Sequence, residues 1–114
     1  MDIEQEIQRG DIWMVNLGHG LGSEHSGHKY CLVVQNDVGN KYSGTTVVIP
    51  ITKEKKGMPT HVVIRNVLPK TSYIMCEQIR VIDKSRLNHF VTQIDDVDMN
   101  RVSKRIKFQL GIEE

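Results

Sequence analysis

Aromatic residues are scarce in this 114-residue chain, which has one Trp, three Tyr and two Phe. Few rings remain for ligand stacking once a core has been filled. A surplus of one charge is also missing, because 15 basic residues face 14 acidic ones for a formal net charge of +1. That balance argues against a strongly basic nucleic-acid binder, whose affinity rests on neutralising phosphates. A local basic groove remains open, since Arg65, Lys70, Arg80, Lys84 and Arg86 fall in one half of the chain. No apolar run approaches the roughly 20 residues of a membrane span, and no charged segment followed by an apolar core marks secretion. The expectation is therefore no membrane association and a cytoplasmic location. Only two cysteines occur, Cys31 and Cys76, each inside an apolar run. Free buried thiols are the plainer expectation, and a disulfide would require neighbouring strands. Repeats and low-complexity segments are absent as well. One domain over residues 1–114 is expected, with residues 1–8 as a loosely attached arm.

What is present reads as short strands followed by one helix. Residues 12–17, 30–35, 45–51, 61–64, 72–75, 78–82 and 89–94 carry the β-branched and apolar density of strands, with Trp13 expected to be buried. Residues 36–44 read as a polar surface connection, and residues 83–86 as a single helical turn. Pro50 has no N–H to donate, so the third strand is expected to bulge or reach an edge just before Thr52. The period then changes. Asp95 is a good N-cap, and Met99, Val102, Ile106 and Leu110 recur at helical spacing before Gly111. This pattern predicts a terminal amphipathic helix closing the open side of a small, strongly curved sheet or partly open barrel. Alternating strands and long helices are lacking, which excludes a doubly wound α/β fold.

Chemistry concentrates between residues 18 and 37, where Gly18, Gly20, Gly22 and Gly27 let a loop fold back over a groove. Within it Ser23, Glu24, His25, Ser26, His28 and Lys29 gather hydroxyls, imidazoles, a cation and one carboxylate. A zinc-protease motif is excluded, because the order Glu24-His25-Ser26-Gly27-His28 reverses the required one and the glycines oppose a helix. A loop metal site on His19, His25 and His28 is disfavoured too, since loop histidines usually serve as solvated polar groups. Metal-free RNA cleavage uses these residue types better. It needs activation of a 2′-hydroxyl, a cation on the nonbridging phosphate oxygens and a proton donor for the departing 5′-oxygen. Lys29 supplies the cation, His25 or His28 exchanges a proton near neutral pH, and Glu24 accepts a proton or orients a histidine. A salt bridge between Lys29 and Glu24 is the plain structural alternative. Thr52 either donates to a phosphate oxygen or ends its strand with a local backbone bond. For RNA contact the candidates are Ser23, His25, Tyr30 at a loop boundary, and Arg80, Lys84 and Arg86 near a strand end; for the arginines and lysine a solvated charged face is the competing account.

These residues assemble into a family likeness. Arg9-Gly10-Asp11-Ile12-Trp13, Gly22-Ser23-Glu24, Gly27-His28-Lys29, the run from Leu32 to Asp37, Asn40, Pro50-Ile51-Thr52, the run from Pro59 to Ile64, and the run from Glu77 to Leu87 closely resemble the MazF/PemK family of toxin endoribonucleases. The likeness covers about residues 8 to 112. It implies an SH3-like curved barrel, a homodimer carrying single-stranded RNA across its joint surface, and ribosome-independent cleavage of RNA at short motifs. No metal or other cofactor is implied, the products being a 2′,3′-cyclic phosphate and a 5′-hydroxyl. A cognate antitoxin with an acidic tail would cover the RNA groove. Catalytic roles carry over to Lys29, Thr52, Glu24 and His28. The family places arginine and then proline where this chain has Lys29 and Tyr30. Lysine keeps the charge and loses the planar two-pronged donor geometry of arginine. Because the same barrel class includes a DNA-associated, gyrase-inhibiting plasmid toxin, a protein-binding module is the alternative, as is a homologue that only binds antitoxin. The apolar Ile106, Phe108, Leu110 and Ile112 would serve it, unless they pack on the barrel or a second subunit.

Overall fold

The computed structural model describes residues 6–22 and 25–112. Ser23 and Glu24, two of the candidate site residues, lie outside the described residues, as do residues 1–5 of the amino-terminal arm. Seven antiparallel strands form, β1 (Asp11–Asn16), β2 (His28–Val33), β3 (Thr45–Thr52), β4 (His61–Ile64), β5 (Ser72–Met75), β6 (Arg80–Asp83) and β7 (Leu87–Gln93). Two helices accompany them, α1 (Asp37–Tyr42) and α2 (Asp96–Gln109), and short 3₁₀ turns occupy Cys76–Gln78 and Lys84–Arg86. The spatial order is β4-β5-β3-β2-β1-β7, with β6 also paired to β3. The result is a mainly β, curved and unclosed barrel with a carboxy-terminal helix, the architecture expected from the sequence.

Both faces of the central strands are buried, which explains why their sequences run apolar without strict alternation. Ile12, Leu32, Ile49 and Ile74 belong to one core, beneath Met99 and Val102 of α2. Trp13, Val15, Cys31, Val33 and Val48 belong to a second, closed by Ile7, Ile82 and Leu87. Successive residues of β1 and β2 thus alternate between two cores, as the period of two requires. Cys31 and Cys76 are free and buried, and desolvation first of all pushes each thiol up to about 12. Both stay protonated at neutral pH.

β3 is the strand that changes partners. Thr45 to Val48 pair with Asp83 to Arg80 of β6, whereas Ile51 and Thr52 pair with Ile74 and Tyr73 of β5. The changeover spans Ile49 and Pro50. A proline cannot donate to a ladder, so an interruption there loses nothing. The strand does not stop at Pro50 but continues to Thr52.

Several boundaries differ from expectation for identifiable reasons. β2 begins at His28 rather than residue 30, because His28 and Lys29 pair with Asn16 and Val15 of β1. The supposed connection 36–44 contains α1, which Asn36 caps by accepting from the Gly39 N–H. Its buried Asn40 donates to the Gln35 carbonyl and accepts from Thr46 Oγ1 at 2.7 Å. Side-chain bonds to residues on either side hold a polar segment helical that propensity alone left as coil. The segment 78–82 starts with the end of a 3₁₀ turn, so β6 begins only at Arg80. Asp95 does cap α2, accepting from the Asp98 N–H at 2.8 Å. Of its apolar stripe Met99 and Val102 are buried and Ile106 packs against the core, but Leu110 is exposed. Ile7 is buried, and the Gln8 N–H donates to Asp11 Oδ2, so residues 7 and 8 are held to the barrel rather than loosely attached. Asp11 itself is buried and accepts from Trp13 Nε1 and Gln93 Nε2. The Arg-Gly-Asp tripeptide is therefore structural.

Candidate active site

Antiparallel register brings the two most separated candidates together. The β2–β3 ladder ends with Cys31 paired to Pro50, and Lys29 and Thr52 each lie two residues beyond that pair on their strands. Both line an open groove of about 410 Å³. His28, Tyr30, Met14, Ile51, Leu68, Pro69, Lys70 and Ser72 line the same groove. Thr52 Oγ accepts from the Glu54 N–H at 3.1 Å, which is the local bond its position suggested. Accepting leaves the hydroxyl proton able to donate to a ligand. His28 Nδ1 lies 2.9 Å from the Asn88 amide on β7. With that amide donating, the other ring nitrogen carries the exchangeable proton.

A second hollow of about 310 Å³ is lined by His25, Pro50, Glu77, Gln78, Ile79 and Arg80. Partial burial, and then the charges of Lys29 and Lys56, hold His25 below the usual histidine range. It is neutral at pH 7. Glu77 is placed by two hydrogen bonds, from Thr60 Oγ1 to Oε1 at 2.7 Å and with His61 Nε2 at Oε2 at 2.9 Å. Burial works against its charge, but the bonds from Thr60, His61 and its own backbone outweigh that and hold the carboxyl below its ordinary value. Lys29 connects the two hollows, lining the first while its charge reaches His25 beside the second.

The other cationic candidates serve the loop and its surroundings. Arg80 donates to the carbonyls of His25 and Leu17, both at 3.4 Å, and Arg86 donates to Asn16 O at 3.3 Å. Together they hold the neck of the glycine-rich loop, whose base is closed by bonds from Leu17 N to Gly27 O and from Gly27 N to Gly18 O. Gly18 has φ of 72°, and a Cβ on it would lie 2.9 Å from Arg86 Nη1. Glycine is the residue that tolerates both conditions. Lys84 donates to the Asn40 carbonyl. Of the five basic residues proposed to share a face, Lys70 lies in the groove and Arg80 in the second hollow. Lys53 is nominated only by the groove's lining, and Asn88 only by its bond to His28.

The match extends beyond the site. A family model described as the PemK-like, MazF-like toxin of type II toxin–antitoxin system covers residues 8–110. The chain is 40% identical over 111 residues to Endoribonuclease EndoA of Bacillus subtilis (strain 168), spanning 93% of this chain and 96% of that one. In fold it resembles MazF (Form-I) from Deinococcus radiodurans, with a TM-score of 0.86 at 21% identity over 95% of this chain and 99% of that one. It also resembles an endoribonuclease in complex with its cognate antitoxin from Mycobacterial species, with a TM-score of 0.78 at 23% identity over 100% and 99% of the two chains. A family match over nearly the whole length, on the fold and groove described above, makes this chain a member of the PemK-like, MazF-like toxins of type II toxin–antitoxin systems.

Proposed function

We propose that the protein is an endoribonuclease toxin that cleaves single-stranded RNA without a metal ion at the groove containing Lys29 and Thr52. The observation that carries this reading is that Lys29 and Thr52, 23 residues apart in the chain, line one open groove together with His28 and Tyr30. The 2′-oxygen attacks phosphorus and loses its proton, the bond from phosphorus to the 5′-oxygen breaks, and that oxygen gains a proton. A 2′,3′-cyclic phosphate and a 5′-hydroxyl result. Lys29 balances the charge growing on the nonbridging oxygens, and the Thr52 hydroxyl donates to one of them. His28, tethered through Asn88, and Glu24 are the groups for proton transfer. Tyr30 offers a stacking face in the groove. Arg80, Lys84 and Arg86 donate to backbone carbonyls and keep further N–H donors for backbone phosphates, and Ser23 and His25 contribute RNA contacts from the glycine-rich loop.

The same reading gives the protein a cognate antitoxin, a homodimeric state and a cytoplasmic site of action. The apolar side chains of Phe108, Leu110 and Ile112, each more than half exposed at the end of α2, suit a subunit contact. They would equally serve inhibition of gyrase, and a supercoiling assay separates that activity from RNA cleavage. The deciding experiment incubates purified protein with a long single-stranded RNA in EDTA, beside Lys29→Ala, and maps the new ends. Discrete cuts with 5′-hydroxyl ends that vanish in the variant are expected. Absence of cuts from a folded, antitoxin-free dimer across varied sequences would sink the proposal.

A further inference from the structure

A third hollow, about 350 Å³, opens between edge strand β4 and helix α2, and it shares no residue with either hollow of the candidate active site. His61, Val62, Arg101, Lys104 and Arg105 line it. Arg101 is fixed as a rim, donating to the Val63 carbonyl at 2.9 Å and to Asp98 Oδ1 at 3.0 Å. Lys104 and Arg105 have no ion-pair or hydrogen-bond partner among the described residues. Arg105 nevertheless lies close enough to the buried Cys76 thiol for its charge to act against the effect of burial there.

The floor supplies an independent observation. The His61 side chain is 4% exposed, and its Nδ1 is a buried polar atom without a hydrogen-bond partner. Its Nε2 must carry a proton, because the carboxylate of Glu77 accepts on both oxygens, one from Thr60 and one from His61. Protonation at Nδ1 would therefore make an imidazolium held between Glu77 on one side and an anion on the other. The groups facing it are Glu77 and Thr60, the protonated Cys76, and the α2 cations Arg101, Lys104 and Arg105, with Asp98 the carboxylate already paired to Arg101. Two cations without partners and a histidine ring whose Nδ1 is buried and unbonded thus line one space large enough for a tetrahedral oxyanion.

We propose that this hollow is a second anion site, taking a phosphate group on His61 Nδ1–H, Lys104 and Arg105. The phosphate is either free inorganic phosphate or one carried by RNA. Binding transfers one proton from solvent to His61 Nδ1, forming that N–H bond at the expense of a solvent O–H bond, and makes or breaks no other covalent bond.

The test is a titration of isotope-labelled protein followed at the His61 imidazole by NMR, first with inorganic phosphate and then with a 2′-O-methyl RNA lacking terminal phosphates, against sodium chloride at equal ionic strength. A saturable shift of the His61 ring is expected with at least one probe. Loss of charge-assisted bonds in the double variant Lys104→Glu, Arg105→Glu should weaken binding about tenfold or more. Both positions are exposed, so the variant retains its fold; His61→Gln gives a second check. A response to RNA identifies a backbone phosphate as the ligand, and a response to inorganic phosphate alone identifies the free anion. No saturable response to either probe, or a response unchanged in the double variant, overturns the proposal. Cleavage is not the readout, so failure of the active-site reading would leave this result standing.

Discussion

The two hollows that meet at Lys29 are built in different ways. The groove is made largely from strand ends, with Lys29 held by its pairing to Val15 of β1, Thr52 by its pairing to Tyr73 of β5, and His28 tied to β7 through Asn88. The second hollow hangs on a loop whose neck is held by Arg80 and Arg86, and on the Glu77 carboxylate fixed by Thr60 and His61. Ladder hydrogen bonds shared along two strands tolerate the loss of one side chain. A loop fastened by a few side-chain bonds does not. The groove should therefore respond to substitution in chemistry and the second hollow in stability and shape.

Removing Lys29, the cation that lines the groove and whose charge acts on His25 of the second hollow, should give the largest effect. Lys29→Ala is expected to lower the cleavage rate by about 10²- to 10³-fold, the usual cost of one transition-state donor, while thermal unfolding changes little. Lys29→Arg should keep activity, because charge is retained and a two-pronged donor added. Single-turnover cleavage beside a melting curve checks both, and a large fall in melting temperature for Lys29→Ala would break the distinction between the hollows.

Next in size comes the frame of the second hollow. Glu77→Gln should cost about 2–3 kcal/mol by urea unfolding at pH 7, since a hydrogen-bonded, partly buried carboxylate loses its charge-assisted partners. Because the folded-state value of Glu77 is lowered, its contribution is present above the ordinary 4.5 and fades as pH falls through the lower folded value. The gap between wild type and variant should shrink accordingly as pH falls below 4.5. A gap independent of pH would mean that packing, not charge, fixes the frame.

Gly18→Ala tests the neck of the loop. A β-carbon in the left-handed region, pressed on the Arg86 guanidinium, should cost about 1–2 kcal/mol and reduce cleavage less than Lys29→Ala does. An unchanged melting temperature would show that the neck relaxes freely. The smallest effect belongs to His25. Its value is lowered in the folded state, so the unfolded chain takes up the proton first and wild type loses stability as pH falls below 6.5. His25→Gln should gain slightly on wild type between pH 7 and 5.5, read by the same urea midpoints.

Much of this was legible before any coordinates. Trp13 and the β-branched run 45–51 sit in strands because apolar density is a local property, and Asp95 caps α2 because its side chain needs only the N–H three residues on. α1 was missed because Asn40 is made helical and buried by partners on both sides of it, Gln35 and Thr46, which no periodicity announces. Glu77 and His61 were likewise unreadable as a pair, lying 16 residues apart with their contact made only when β4 and β5 align.

The sequence by itself determined most of the strands, the terminal helix and the family, since each rests on residue type and short-range spacing. Only the tertiary structure decided that Lys29 and Thr52 line one groove, that Arg80 and Arg86 hold a loop neck, and that His61 shares a hollow with three cations of α2. Register between strands distant in the chain is fixed by the simultaneous burial of both sheet faces, and that condition is satisfied by the whole fold at once.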